Sequence, residues 1–498
     1  MTSSSDEALR RPPGLARNTA LNFADTLISL VSALVVTVVI ARLLGPAEYG
    51  LYSLVVTIVW FTYAIARLGI NQTVRRYVAD LDGRGQREMA ATVAGLGLRN
   101  ALISAGVASL LLAAAAGPAA MFFHQPTLRT YLLVGAATLV PMMVGGVLRN
   151  VLNGVQQYQY FVRMNLVTSP LWVVACTLTV WLGGGILGLL VASIAVELLN
   201  LAALGVWTVR EVGTLRWRGR LPKDLRSRLA RYNRAVAVLL VLNTVVWERS
   251  ELLFLGRFHG ADQVAYYAVP FSLTQRLTDL IPGALLGVLL PGLTFLQSAA
   301  DPEHFTAMFS NSLRWLAILA LPACLFGIPL AAAALNLLYG AAYSGAVPVL
   351  RILLLATPFA VLGQASSSAL LGMEAQSWVL KTGIATALLS LVLDLFLIPS
   401  WGAVGAALAN TATQATWAFA VFLPLWKRVM RQARVDILKT ALAAAPLSLL
   451  LVELMLLKPP LAALVAAGVM ALGLYAVALI WMRVVSAGEL ISAVRSHG

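Results

Sequence analysis

The sequence predicts an all-α integral membrane protein of about 14 transmembrane helices, arranged as two six-helix lobes from an internal duplication plus two C-terminal helices. Three observations carry that prediction. The 498 residues are 60% hydrophobic and only 11% charged, with a mean hydropathy of +0.83, whereas soluble domains are about 45–50% apolar and 25% charged. The apolar residues gather into runs of the length a spanning helix needs, about 20 residues. Segments of the first half also return in the second half at a nearly constant spacing.

The repeats come first, because a missed repeat misreads the whole fold. Ile40-Ala-Arg-Leu-Leu-Gly-Pro-Ala-Glu-Tyr-Gly-Leu-Tyr52 is answered 215 residues later by Leu255-Gly-Arg-Phe-His-Gly-Ala-Asp-Gln-Val-Ala-Tyr-Tyr267. In that register Arg42 meets Arg257, Gly45 meets Gly260, Glu48 meets Gln263 and Tyr52 meets Tyr267. Asn153-Gly-Val-Gln-Gln-Tyr158 and Leu371-Gly-Met-Glu-Ala-Gln376 stand 218 apart, and Gly185-Ile-Leu-Gly188 and Gly402-Ala-Val-Gly405 stand 217 apart. Three matches in order describe a duplication of roughly 215 residues with extra material at the C-terminus.

Taken in order, the apolar runs lie near residues 20–44, 50–70, 90–116, 129–152, 161–182, 186–209, 233–256, 265–290, 305–332, 345–370, 377–398, 403–426, 437–457 and 461–482. The first follows Arg10, Arg11 and Arg17 and is too long for the apolar core of a cleaved signal, so it reads as a retained helix. Gly45-Pro46 and Gly183-Gly-Gly185 read as turns between runs. Gly145 and Gly146 read as places where helices pack closely.

The net charge of +15 sits in the connections. With the N-terminus in the cytoplasm, the inner connections hold Arg75, Arg76, Arg84 and Arg87, then the basic stretch from Arg210 to Arg231, then Lys427, Arg428, Arg431 and Arg434. The outer ones hold little beyond Arg42, Arg129, Arg257 and Lys458. This asymmetry is the positive-inside pattern and places both termini inside. It also accounts for the charge without nucleic acid as a partner. The expected division is 1–17 as a cytoplasmic segment, 18–209 as the N-lobe and 210–232 as a basic linker on the anionic inner leaflet. The C-lobe follows over 233–426, and helices 13 and 14 with a cytoplasmic tail over 427–498. Six helices per repeat make the two halves parallel, related by an axis along the membrane normal.

Only Cys176 and Cys324 occur, each inside an apolar run, so neither a disulfide framework nor a thiolate metal site is expected. His124, His259, His304 and His497 are scattered, and no Gly-x-x-x-x-Gly-Lys-Ser/Thr phosphate cradle is present. No metal, no cofactor and no catalytic constellation is expected, and the reading is of a protein that is not an enzyme.

Ala41-Arg-Leu-Leu-Gly-Pro-Ala-Glu-Tyr-Gly-Leu-Tyr52, Leu68-Gly-Ile-Asn-Gln-Thr-Val-Arg-Arg-Tyr-Val-Ala79, Leu152-Asn-Gly-Val-Gln-Gln-Tyr158 and the start of the second repeat carry a family resemblance. The chain resembles the polysaccharide flippases of the multidrug, oligosaccharidyl-lipid and polysaccharide exporter superfamily. The resemblance implies two lobes facing a central cavity in the bacterial inner membrane, opening alternately inward and outward. It implies a polyprenyl-diphosphate-linked glycan as substrate, a proton or sodium ion as a coupling ion and a polysaccharide polymerase as a partner. In the second repeat the Tyr-Gly pair becomes Val264-Ala265, a departure at the local turn.

Ionisable side chains within a span are costly, roughly 2.5–3.5 kcal/mol at its centre, so they face a cavity or a partner. Asp25, Arg67, Arg99, Glu197, Glu248, Arg249, Glu251, Arg276, Asp279, Arg351 and Asp394 qualify. Arg67, Arg249 and Arg276 are the candidates for the substrate diphosphate, because a guanidinium fork matches phosphate oxygens. Asp25, Glu248, Glu251 and Asp279 are the candidates for ion coupling. The plainer readings are an ion pair between Arg276 and Asp279 on one helical face, a network of Glu248 and Glu251 with Arg249, and Arg67 reaching for the interface. Pro282 and Pro291 predict that the eighth helix is bent or broken.

The competing function within the superfamily is an ion-coupled antiporter of drugs or organic cations, which favours acidic cavity groups, whereas a diphosphate needs basic ones. A membrane-embedded glycan polymerase or ligase would need a sizeable outer loop, and every outer connection is short.

Overall fold

The computed structural model describes residues 15–247, 250–298, 301–457 and 459–485. They form 14 α-helices. In order these are α1 (Leu15–Ala66), α2 (Ile70–Gly83), α3 (Arg87–Phe122), α4 (Leu128–Gly154), α5 (Gln159–Trp181), α6 (Gly185–Val212) and α7 (Lys223–Trp247). The second half holds α8 (Ser250–Phe258), α9 (Ala261–Ser298), α10 (Pro302–Tyr339), α11 (Val347–Gly372), α12 (Gln376–Phe422), α13 (Trp426–Leu456) and α14 (Leu461–Trp481). No strand occurs among the described residues.

Nine described segments are long and apolar enough to cross a membrane. Two of them, Ala24–Ala66 at 43 residues and Gln376–Leu425 at 50, are each long enough for two crossings. Each is divided by a glycine outside helical geometry, Gly45 at φ 76° followed by Pro46, and Gly402 at φ 54°. Counting each as two, and adding α7 with α8, α9 and α14, recovers the predicted fourteen crossings. Side chains such as Leu110, Leu111, Phe396 and Trp481 point outward, as lipid-facing positions require.

The duplication is visible in the backbone itself. Gly45 and Gly260 both have positive φ, as do Gly185 and Gly402, at 51° and 54°. More telling are two residues with side chains: Gln156 and Glu374, 218 apart in sequence, both stand at φ 59°. Left-handed geometry is uncommon for a residue with a Cβ, so the same exception at matched positions marks one ancestral turn used twice.

The described residues separate into two compact units. One comprises residues up to Leu44 with Leu51–Leu253, the other Gly45–Gly50 with residues from Phe254 onward. In the first, α3 packs on α4, and α4 and α5 on α6. In the second, α11 packs on α9, α10 and α12, and α10 on α13. Phe305, Phe309, Leu370 and Phe422 form part of the second unit's core, and Phe326, Ala444 and Tyr475 part of the cluster that attaches α13 and α14.

The linker of the first unit is fastened to α3. Arg216 donates its backbone N–H to Ala91 O at 3.4 Å and pairs through Nη1 with Glu88 at 3.3 Å. Beneath it Gly95 has no Cβ, and one placed there would lie 2.7 Å from the backbone carbonyl of Arg216. Gly95→Val is therefore expected to lift the linker, read as faster trypsin cleavage after Arg216, Arg218 and Arg220 in the purified protein. Unchanged cleavage would remove this role for Gly95.

The eighth predicted helix is α9, which runs as one helical segment from Ala261 to Ser298. At the start of α10 the Asp301 carboxylate accepts the His304 N–H at 3.1 Å, an N-cap. This bond, with the nearby imidazole, holds the carboxyl below its ordinary range.

Candidate functional site

The densest polar constellation described within the spans lies in the first unit, where α1, α4 and α5 meet. Asp25 of α1 is buried, and both of its oxygens are engaged. Arg149 of α4 donates from Nη2 to Oδ2 at 2.9 Å, and Asn165 of α5 donates from Nδ2 to Oδ1 at 2.6 Å. Asn165 Nδ2 is also 2.9 Å from Ser29 Oγ. The Arg149 guanidinium stands 4.6 Å from the Phe161 ring centroid, a cation–π arrangement.

This geometry fixes a cation without using it up. A guanidinium has five N–H donors, and here one nitrogen is spent on Asp25 while the side chain stays 37% exposed. The remaining fork is presented in a set direction, as recognition of a planar anion requires. Asp25, Arg149 and Asn165 lie toward one end of the unit, the end that carries the linker.

Arg67 lies toward the same end, just after α1 and before the break at Leu68 and Gly69, where φ is 42° and 74°. Its guanidinium carbon is 5.8 Å from the Tyr63 ring centroid, and its Nε is buried without a hydrogen-bond partner. Tyr63 in turn meets Asn71, with Nδ2 3.5 Å from the hydroxyl oxygen. Gly146 leaves room for both, since a Cβ there would fall 3.0 Å from each of those atoms. That is the close approach expected of Gly146 from sequence.

Glu197 of α6 lines a cavity of about 290 Å³ with Thr168, Ser169, Trp172, Ser193 and Asn200. It lies within Coulombic reach of Arg149.

The remaining candidates are placed as follows. Glu251 is buried in α8, while Glu248 and Arg249 lie outside the described residues. In the second unit the exposed Asp279 accepts from Gln275 Nε2 at 2.9 Å, and Arg276 lies within electrostatic reach of Tyr339. Asp394 is buried in α12, and Arg351 of α11 donates from Nε to Ile328 O at 3.3 Å. No cluster of three or more metal-ligating side chains occurs among the described residues.

The chain is similar to a solved lipid II flippase MurJ in an inward closed conformation, at 13% identity, 93% of this chain, 99% of that one and a TM-score of 0.72. It is similar to an inward-facing multidrug resistance MATE transporter of the MOP superfamily at 17% identity, 84% and 99% coverage and a TM-score of 0.64. A MOP transporter from Pyrococcus furiosus, titled for the reversed polarity of its binding pocket, matches at 16% identity, 85% and 95% coverage and a TM-score of 0.55. Likeness at these identities establishes the fold. The chain belongs to the family of polysaccharide biosynthesis proteins, whose pattern matches residues 39–348. It is also 26% identical over 321 residues to the succinoglycan biosynthesis transport protein ExoT of Rhizobium meliloti, covering 64% of this chain and 61% of that relative. The protein is thus a multi-pass membrane protein of a polysaccharide-biosynthesis family with a flippase and transporter fold.

Proposed function

We propose that this protein flips a polyprenyl-diphosphate-linked oligosaccharide from the inner to the outer leaflet of the bacterial cytoplasmic membrane, for cell-surface polysaccharide synthesis. The observation that carries the reading is Arg149, braced by Asp25 and Phe161 yet 37% exposed. A charge that only neutralised its partner would have no reason to remain open. The positive-inside distribution supports a reading with both termini in the cytoplasm and with Arg67 and Arg149 toward the inner leaflet, where such a substrate is made.

The cycle is alternating access. The lobes, 18–209 and 233–426 by the repeat boundaries, open inward, and Arg67, Arg149 and Arg276 receive the diphosphate. The polyprenyl tail stays in the bilayer while the head group passes. Rocking of the lobes then presents it to the outside, where a polymerase would use it. Asp25 and Glu197, with Glu251, are the carboxylates available to a coupling proton or sodium ion. Asp25 is doubly engaged, which suits it to hold Arg149 in the resting state and release it when an ion binds.

Flipping of a fluorescent polyprenyl-diphosphate sugar in proteoliposomes tests this. The wild type is expected to flip, and Arg67→Ala, Arg149→Ala and Arg276→Ala are each expected to slow it about 10-fold to 100-fold, the worth of one charged hydrogen bond of about 1.5–3 kcal/mol. A wild type that ignores this lipid and instead exchanges an organic cation for protons would assign the protein to the antiporters.

A further inference from the structure

A second basic cavity, separate in its residues from the Asp25 constellation, opens at the linker end of the first unit. It encloses about 660 Å³ between α2, α3, the linker and α7. Its walls are apolar, with Ile70, Val74, Val93, Leu96, Leu221 and Leu229 among them, and four arginines line it: Arg99, Arg220, Arg226 and Arg234. No carboxylate lines it, and none of the four arginines takes part in an ion pair with a described residue.

The cavity is built rather than incidental. On one side the linker is held to α3 through Arg216, Glu88 and Gly95, as described above. Gly219, which lines the cavity, packs directly against Thr92 of α3. On the other side α7 is held to α2, where Thr73 Oγ1 donates to Asn233 Oδ1 at 3.0 Å and Arg76 stands 4.4 Å from the Tyr232 ring centroid. Four exposed arginines gathered around one cavity concentrate positive charge there, and no carboxylate in its lining offsets that. Like charges held together this way call for an anion.

Position decides which anion. From Arg99 to the end of α3 at Phe122 the helix rises roughly 35 Å at 1.5 Å per residue. That is just more than the hydrocarbon thickness of about 30 Å. Arg99 therefore stands at the headgroup level of the leaflet that faces the linker, and Val93 and Leu96 lie between it and the linker arginines. Apolar walls between two pairs of arginines at headgroup depth fit an amphiphile, with its phosphate on the arginines and its glycerol against the apolar walls.

We propose that this cavity holds the phosphodiester headgroup of a resident anionic phospholipid from the inner leaflet. The bound phosphate would tie Arg220 and Arg226 at the linker end to Arg99 of α3 and Arg234 of α7, so the lipid completes the attachment of the linker to the first unit. The assignment does not depend on what the protein transports.

The test is lipid retention by the full-length protein. Protein reconstituted in mixed phosphatidylglycerol and phosphatidylcholine is delipidated in steps, and the lipid that stays bound is measured by native mass spectrometry. The wild type is expected to retain phosphatidylglycerol preferentially. Arg220→Gln with Arg226→Gln is expected to weaken retention about 30-fold, since each arginine near an anionic surface contributes about 1 kcal/mol and tenfold is 1.4 kcal/mol. Arg218→Gln with Arg228→Gln removes the same charge from exposed positions on the same elements outside the cavity, and is expected to change retention less than 3-fold. Equal losses in the two double variants, or no preference in the wild type, would overturn the site. Displacement by millimolar inorganic phosphate would reassign it to a soluble anion, and displacement by equimolar polyprenyl diphosphate to the substrate lipid. Either outcome sinks the resident-phospholipid assignment.

Discussion

Arg149→Ala is expected to slow the proposed flipping about 10-fold to 100-fold and to lower stability, and the two losses can be separated. Removing one partner of a buried ion pair leaves the other charge uncompensated, at a cost of about 3–5 kcal/mol. Because Arg149 is 37% exposed while the Asp25 side chain is only 9% exposed, water offsets part of that cost, and roughly 3 kcal/mol is the expected loss. The double variant Asp25→Asn with Arg149→Gln removes both charges and keeps two amides that can hydrogen-bond to Asn165 and to each other. It is expected to recover most of the melting temperature lost by Arg149→Ala. Flipping should not recover, because no cation remains to meet the diphosphate. If the double variant regains both stability and flipping, the pair is structural and the substrate is held elsewhere. If Asp25→Asn alone flips normally but loses its dependence on an ion gradient, Asp25 is the coupling carboxylate.

The architecture was legible because a membrane leaves little choice. Spanning length, the positive-inside bias and repeat spacing each act on composition, and composition survives without knowledge of packing. The site was legible only in part. Asp25 stands out in the sequence as a carboxylate inside an apolar run, but Arg149, its partner 124 residues away, does not emerge as its counterpart. The available signal was an arginine within the run 129–152, and its meaning depends on which helices meet. Around Asp279 spacing gives only the partners a helix permits: Arg276 at i,i+3 and Gln275 at i,i+4 are both allowed, and the structure shows the bond from Gln275. Arg99 shows the opposite outcome. As a lone intramembrane cation it is ambiguous, and only the fold brings Arg220, Arg226 and Arg234 to its side.

Gly50→Val is expected to prevent the protein from accumulating in the membrane. The corner Gly45–Gly50 belongs to the second unit, where Tyr49 is buried and meets Tyr343 edge-on at 6.5 Å between ring centroids. Beside it Gly50 lies against the first residue of α9, so closely that a Cβ would overlap the Ala261 carbonyl oxygen. Overpacking a core costs about 1–3 kcal/mol when side chains can yield. Here the obstacle is backbone at a helix start, so the cost is expected above that range, a large share of the roughly 5–15 kcal/mol that keeps a domain folded. Gly50→Ala should already lower the melting temperature sharply, whereas Gly106→Ala in α3, with open space around the new Cβ, should not. This contact also explains why the second repeat departs from the first. The residue matching Gly50 is Ala265, whose backbone N would lie 3.1 Å from a Cβ on Gly50. Where two copies of one motif press together, only one of the matched positions has to surrender its side chain. Equal membrane levels of Gly50→Val and wild type would refute both the contact and this account of the asymmetry.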